Sequence, residues 1–454
     1  MKEGSKRIGK DSGVDELCMA PLIEIAKVLR KREVSSRELV DAYLKRIDSL
    51  EQLGAYITVT AEAARKQAAL ADDRLRLGAG GALLGVPIAV KDIFDTKGVR
   101  TTAGSRILQE NVPKKDAVAV ARLLEAGVVL LGKLNMHEFA YGVTNLNPHY
   151  GPARNPHDRG RIPGGSSGGS AVAVVAGLCA ASLGTDTGGS IRIPASLCGC
   201  VGLKPTYAAI PTEGVIPLGR SLDHVGPITR TVDDARMLFE VLTDNVVSDP
   251  TQQPRIGVLQ GEPFDLVDPA VLKGFQGGLD ALREAGSEIK ELRLAETAMT
   301  QAAQLVTLRA EASEFHGDWL RKRPEDYGPD VRTRLRLGLL TSAADYVVAQ
   351  RARYYLREAM RRAFDEVDLL ALPTTPVVAP PIGEQTVTWP AQKEPVDVAL
   401  VRLTSAFNLT GLPAISVPCG LERGLPIGFQ LVARWNDEGS LFNAARVVEA
   451  CASR

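Results

Sequence analysis

The sequence predicts a single α/β domain built on a partly parallel sheet, and three observations lead there. Apolar runs of strand length alternate with helical patterns: Leu83–Lys91, a helix over Asp116–Gly127 and Val128–Gly132 form one such set. The rhythm returns at Ile256–Leu259, a helix over Pro269–Ala285, and Val367–Leu372. Strands that alternate with helices pair in parallel, because the crossover helix returns the chain to the same edge. Finally, the chain holds neither an internal repeat nor a linker that would separate independently folded halves.

Taken in order, residues 1–13 are polar and expected to be disordered, which leaves 14–454 as the folded domain. Leu22, Ile25, Val28 and Leu29 form a helical stripe. Ser35-Ser36-Arg37-Glu38 reads as a capping box that opens a second helix through Leu39, Tyr43, Leu44 and Ile47, and a third spans Ala61–Leu75. The apolar run that follows ends in Lys91. A lysine closing a buried strand ordinarily reaches out to water; a functional one would be desolvated, so that its pKa falls and a neutral amine serves as a base. Small apolar residues over Ala171–Leu183 read as a buried helix, and 295–365 as an almost wholly helical insert. Pro373–Pro395 reads as a long loop, Phe407–Pro418 as strand-like, and Ser440–Ala450 as a closing helix.

Composition excludes several roles. The 54 basic residues equal the 54 acidic ones, so no net field draws the chain to nucleic acid or an anionic membrane. The arginines of Arg351–Arg362, interrupted by Glu358, read as a solvated helix face. The charged N-terminus lacks an apolar segment after it, and no apolar run spans a bilayer, so a cytoplasmic protein is expected. Six cysteines fit reduced, buried thiols; Cys198 and Cys200 lack a second pair or a histidine cluster at zinc spacing.

The densest chemical signal is the Gly- and Ser-rich stretch from Pro163 to Pro205. Glycine walls of this kind can aim several backbone N–H groups at one point, which suits an oxyanion or a phosphate. A phosphate loop fails, since no G-x-x-x-x-G-K-[S/T] occurs. The nucleophile-elbow pattern G-x-S-x-G matches on Ser166 and on Ser167, but a Pro-, Gly- and Arg-rich segment precedes it where a strand is required. None of the five histidines lies inside the stretch, which favours a serine device with lysine as its base, using Lys91, Ser166 and Ser190.

The run G-G-S-S-G-G-S-A from Gly164, S-L-G-T-D-T-G-G-S-I-R-I-P-A-S from Ser182 and G-L-K-P-T from Gly202 resembles the amidase signature family. So do G-V-P-I-A-V-K-D ending at Asp92, K-L-N-M-H-E-F-A from Lys133, S-L-D-H-V-G-P-I-T-R from Ser221 and G-L-P-A-I-S-V-P from Gly411. The resemblance covers nearly the whole chain. It implies a central mixed sheet with helices on both faces, a catalytic core of about 80–235, and no metal or organic cofactor. It also implies Ser190 as nucleophile, Ser166 as bridging serine with a cis peptide to Gly165, and Lys91 as base. The main-chain N–H groups of Thr187, Gly188, Gly189 and Ser190 would form the oxyanion hole, with Asp186 and Arg192 as a supporting ion pair and Ser167 in the hydrogen-bond network. Gly165, Met136, His137, Phe139 and Tyr141 are the candidate substrate contacts.

Two branches of that family compete. A stand-alone hydrolase would cleave small amides, aryl amides or carbamates through an acyl-enzyme, as a monomer or homodimer without nucleic-acid or membrane partners. A glutaminase subunit would instead serve a tRNA-dependent amidotransferase. No R-Y-D-G-type segment occurs in Ala310–Tyr354, which disfavours the subunit, and no decarboxylating extension follows the core, which disfavours a two-step urea or allophanate enzyme, so the stand-alone hydrolase is the expectation. The insert at 295–365 and the loop at 373–395 are expected to set specificity.

Overall fold

An eleven-stranded mixed sheet carries the fold in the computed structural model, which describes residues 10–250 and 252–452. Its first strands are β1 (Tyr56–Val59), β2 (Pro87–Lys91), β3 (Val129–Leu134), β4 (Ser182–Asp186), β5 (Val201–Lys204) and β6 (His224–Thr229). They are followed by β7 (Ile256–Gln260), β8 (Ile289–Arg293) and β9 (Leu369–Pro373). A small hairpin of β10 (Thr386–Thr388) and β11 (Lys393–Pro395) stands apart, before β12 (Ala414–Glu422) and β13 (Leu425–Ala433). The order across the sheet is β1-β3-β2-β4-β6-β5-β12-β13-β9-β7-β8. β3, β2 and β4 run parallel, as do β8, β7 and β9, while the strands between these groups pair antiparallel.

Helices flank this sheet. Ser36–Ser49 opens on the expected capping box, with Glu38 Oε2 accepting from the Ser35 N–H at 2.9 Å, and buries Leu39, Val40, Tyr43, Leu44 and Ile47. It packs with Ala61–Arg76 over β2 and β3, whereas Pro269–Glu284 and Glu438–Ala452 lie on β12 and β13. β2, β3 and β4 are buried along their whole length, which fits the largely apolar sequences of β2 and β3; β4 buries Ser182, Thr185 and Asp186 as well. The insert forms the helices Thr300–Lys322, Pro329–Gly338 and Ala343–Glu366, the first packed against the other two.

Several expectations are corrected. The apolar run 171–183 is not one helix. Gly168–Val175 is helical, Gly177 turns the chain at φ 67°, and the remainder enters β4. Phe407–Pro418 divides likewise, into the helix Ala406–Thr410 and β12, with Gly411 at φ 73° between them. The proline-rich loop contains the β10–β11 hairpin. The expectation of disorder over 1–13 falls outside the described residues for 1–9, and a helix begins at Lys10. Among the described residues no helix is long and apolar enough to cross a membrane, and all six cysteines are free, five of them buried.

Candidate active site

The parallel pairing of β2 with β4, in register Ala89↔Ser182 and Val90↔Leu183, brings the carboxyl ends of two central strands together. Open α/β sheets bind ligands at such an edge. Lys91 is the last residue of β2, and Thr187–Ser190 follow directly on β4. The segment Gly164–Ser167 reaches the same edge before entering the helix Gly168–Val175.

Lys91 is fully buried, and its Nζ donates to Ser166 Oγ at 2.7 Å and to Thr185 Oγ1 at 2.8 Å. Burial pushes the amine down to a pKa of about 7, against the opposing pull of Asp186 and Asp223. At neutral pH a large fraction is therefore uncharged and able to accept a proton. The peptide between Gly165 and Ser166 is cis. Ser167 Oγ donates to the Thr185 carbonyl at 3.2 Å, and the Ser167 N–H donates to the Ser190 carbonyl at 3.2 Å, tying the two serine segments together. No hydrogen bond joins Ser166 Oγ to Ser190 Oγ; the second link of the expected relay stands open, as catalytic hydrogen bonds do in many unliganded sites.

The loop after β4 is fixed from behind. Asp186 accepts from the Gly189 N–H at 2.7 Å and the Ile191 N–H at 3.1 Å, and it pairs with Arg192 at 2.9 Å and 3.0 Å. Burial alone would raise this carboxyl, but the Arg192 guanidinium, with Lys204 and Asn408, holds it below the usual range. Arg192 is itself fully buried and spends its other donors on Gln430, Thr404 and Asn408. The Gly189 N–H is thereby spent on Asp186, which corrects its expected place in an oxyanion hole. The N–H groups of Thr187, Gly188 and Ser190 make no hydrogen bond within the described residues. Ser190 is 4% exposed and lines a cavity of about 480 Å3.

Of the expected substrate contacts, only Tyr141 lines that cavity. Met136 is fully buried, and Gly165 backs onto Val143 and Asn145. His137 turns to Asp330, with Nε2 at 2.9 Å from Oδ2, and Phe139 sits among His316, Trp319 and Tyr327. Met136, His137 and Phe139 follow β3 closely, which makes them sequence candidates for substrate contact; His137 and Phe139 pack against the insert instead. The insert does line the cavity, through Gln301, Gln304, Leu305, Leu308, Arg309 and Arg334. The expected loop contributes only Pro395, and the next turn adds Asp397, Val398 and Val401. Arg334 pairs with Asp397 and donates to the Tyr141 carbonyl at 2.8 Å. Sequence reasoning missed Gln304, Thr404, Asn408 and Gln430, which lie far outside the Gly-Ser stretch, and it passed over Thr185, which lies within that stretch.

The family model described as Amidase matches residues 38–442. The chain belongs to the Amidase family. Other Amidase chains resemble it closely. A solved structure described as an amidase superposes with a TM-score of 0.91 at 37% identity, covering 95% of this chain and 99% of that one. The A subunit of the glutamyl-tRNA(Gln) amidotransferase of Roseiflexus sp. (strain RS-1) is 41% identical over 92% of this chain and 94% of its own length. The solved A subunit of the Thermotoga maritima glutamyl-tRNA(Gln) amidotransferase superposes with a TM-score of 0.80 at 32% identity, covering 96% and 95%.

These relatives overturn the expectation of a stand-alone hydrolase of small amides or carbamates without nucleic-acid partners. That expectation rested on one missing R-Y-D-G-type segment, a local difference, whereas the identity to the amidotransferase relatives runs along nearly the whole chain.

Proposed function

We propose that this Amidase chain is the glutamine-cleaving subunit of a tRNA-dependent amidotransferase, releasing ammonia for use by partner subunits. The identity of 41% over 92% of the chain to the A subunit of a glutamyl-tRNA(Gln) amidotransferase carries this reading. Lys91 acts as base, Ser166 as bridge and Ser190 as nucleophile. Neutral Lys91 Nζ takes the proton of Ser166 Oγ, which takes that of Ser190 Oγ as it bonds to the amide carbonyl carbon. The carbonyl oxygen becomes an oxyanion facing the N–H groups of Thr187, Gly188 and Ser190. Collapse breaks the C–N bond, and the relay returns the proton to the leaving nitrogen, freeing ammonia. Water then attacks the ester, its proton following the same path, and glutamate leaves.

The cavity supports an amino-acid substrate. Arg309 lines it with no ion pair or hydrogen bond on its guanidinium among the described residues, a cation open to the α-carboxylate. Asp397, paired with Arg334 at the same wall, offers its carboxylate to the α-ammonium as well. Replacing Arg309 by Ala is expected to raise the glutamine KM by about ten-fold or more, the worth of one charged hydrogen bond, while kcat stays within about two-fold. An unchanged KM would remove Arg309 from substrate binding. The reading as a whole is tested by ammonia release from glutamine, with the chain alone and with the other amidotransferase subunits and charged tRNA. Glutamine cleavage that rises on adding them is expected; a panel in which glutamine is never cleaved would overturn it.

A further inference from the structure

We infer that Gln304, on the insert helix Thr300–Lys322, is a positioning residue for the oxyanion hole and joins the substrate-lining wall to the reacting centre. The inference rests on the reading of Ser190 as an acylated nucleophile. The peptides of the loop after β4 are trans among the described residues, so each C=O points opposite the N–H that follows it. Holding a carbonyl from behind therefore aims the next amide forward. Each of the three unspent amides has such a hold. The Asp186 carbonyl, ahead of the Thr187 N–H, accepts from Asn408 Nδ2 at 2.9 Å. The Gly189 carbonyl, ahead of the Ser190 N–H, accepts from the Ile193 N–H at 2.7 Å. The Thr187 carbonyl, ahead of the Gly188 N–H, accepts from Gln304 Nε2 at 2.8 Å.

Two of these holds belong to the centre of the fold. Gln304 does not: it comes from the insert, and its neighbours Gln301, Leu305 and Leu308 line the cavity that Ser190 faces. Gln304 is 6% exposed and its Oε1 has no hydrogen-bond partner, so the donation to Thr187 is the amide's one polar tie. Gln304 also stands close over Gly188, where a Cβ would meet its Nε2 at 3.3 Å. Contacts of substrate with this wall therefore reach the Gly188 N–H through one side chain.

The test uses a fluorophosphonate, so that it reads oxyanion stabilisation whichever amide is cleaved. Ser190 Oγ bonds to phosphorus, fluoride leaves, and the serine proton passes through Ser166 to Lys91 while charge builds on the phosphoryl oxygen. Gln304→Leu keeps the side-chain volume and removes the donor. The rate of Ser190 phosphonylation and kcat for amide cleavage are expected to fall together by about ten-fold, less than the loss of a whole oxyanion donor, with KM changed by less than about two-fold. Gln304→Glu, which sets an acceptor against the carbonyl, should fall at least as far. Rates within two-fold of wild type would overturn the inference. So would a KM rise that accounts for the whole loss, since that marks a collapsed cavity wall. A wild-type chain that the probe never labels at Ser190 would overturn the acyl-enzyme reading itself.

Discussion

Lys91→Met and Ser190→Ala are each expected to lower kcat by about 10⁴-fold, and the double variant is expected to be no worse than either single one. Residues that pass one proton act as a unit, and removing any member removes the whole step, leaving what binding and the oxyanion donors supply. Additive losses in the double variant would mean that Lys91 and Ser190 work in separate steps. The wild-type pH profile carries the same reasoning. Burial lowers Lys91 from the usual lysine value to about 7, and its neutral form is the active one. Under chemistry-limited conditions kcat should therefore rise through about pH 7 and level off above it. A profile that is flat, or that falls with rising pH, would take the base role from Lys91.

The second large effect falls on stability. Asp186→Ala is expected to cost about 3–5 kcal/mol, because it strands the fully buried Arg192 guanidinium without its counter-charge. The same carboxylate also holds the Gly189 and Ile191 N–H groups, so the loop carrying Ser190 loosens as the pair is lost. Adding Arg192→Met to Asp186→Ala removes the stranded charge and is expected to restore some of the stability without restoring activity. Denaturant titration of wild type and both variants measures this. A single variant within about 1 kcal/mol of wild type would show that Arg192 finds water or another acceptor.

How much of this was legible in the sequence follows from the range of the signals. Lys91 could be picked out because the Gly-Ser stretch holds no histidine and the motif around the lysine resembles the family's, although a lysine closing a strand ordinarily reaches water; the structure keeps it fully buried. The Gly-Ser stretch announced tight turns and close approaches, which Gly164, Gly177 and Gly189 make at positive φ. Strand β4 was hidden for the opposite reason. The small apolar residues Leu178–Ala181 that lead into it continue those of the preceding helix, and a single glycine, Gly177, divides them. β13 was missed although all nine of its residues are buried, because Pro426, Gly428 and Gln430 interrupt the apolar run that would mark a buried strand. Of the cavity wall only the insert as a segment and Tyr141 were expected; the individual residues Gln304, Arg309 and Asp397 could not be read, since tertiary packing brings them to the cavity that Ser190 lines. Motif spacing instead pointed to Met136, His137 and Phe139, whose side chains satisfy themselves elsewhere.

The most direct measurement is acid-quenched turnover of glutamine by the chain in its amidotransferase complex, followed by peptide mass analysis. The account predicts a glutamyl ester on the peptide carrying Ser190, present in wild type and absent from Ser190→Ala. Ammonia released from glutamine at an undiminished rate by Ser190→Ala, or a glutamyl group found on another residue, would contradict it.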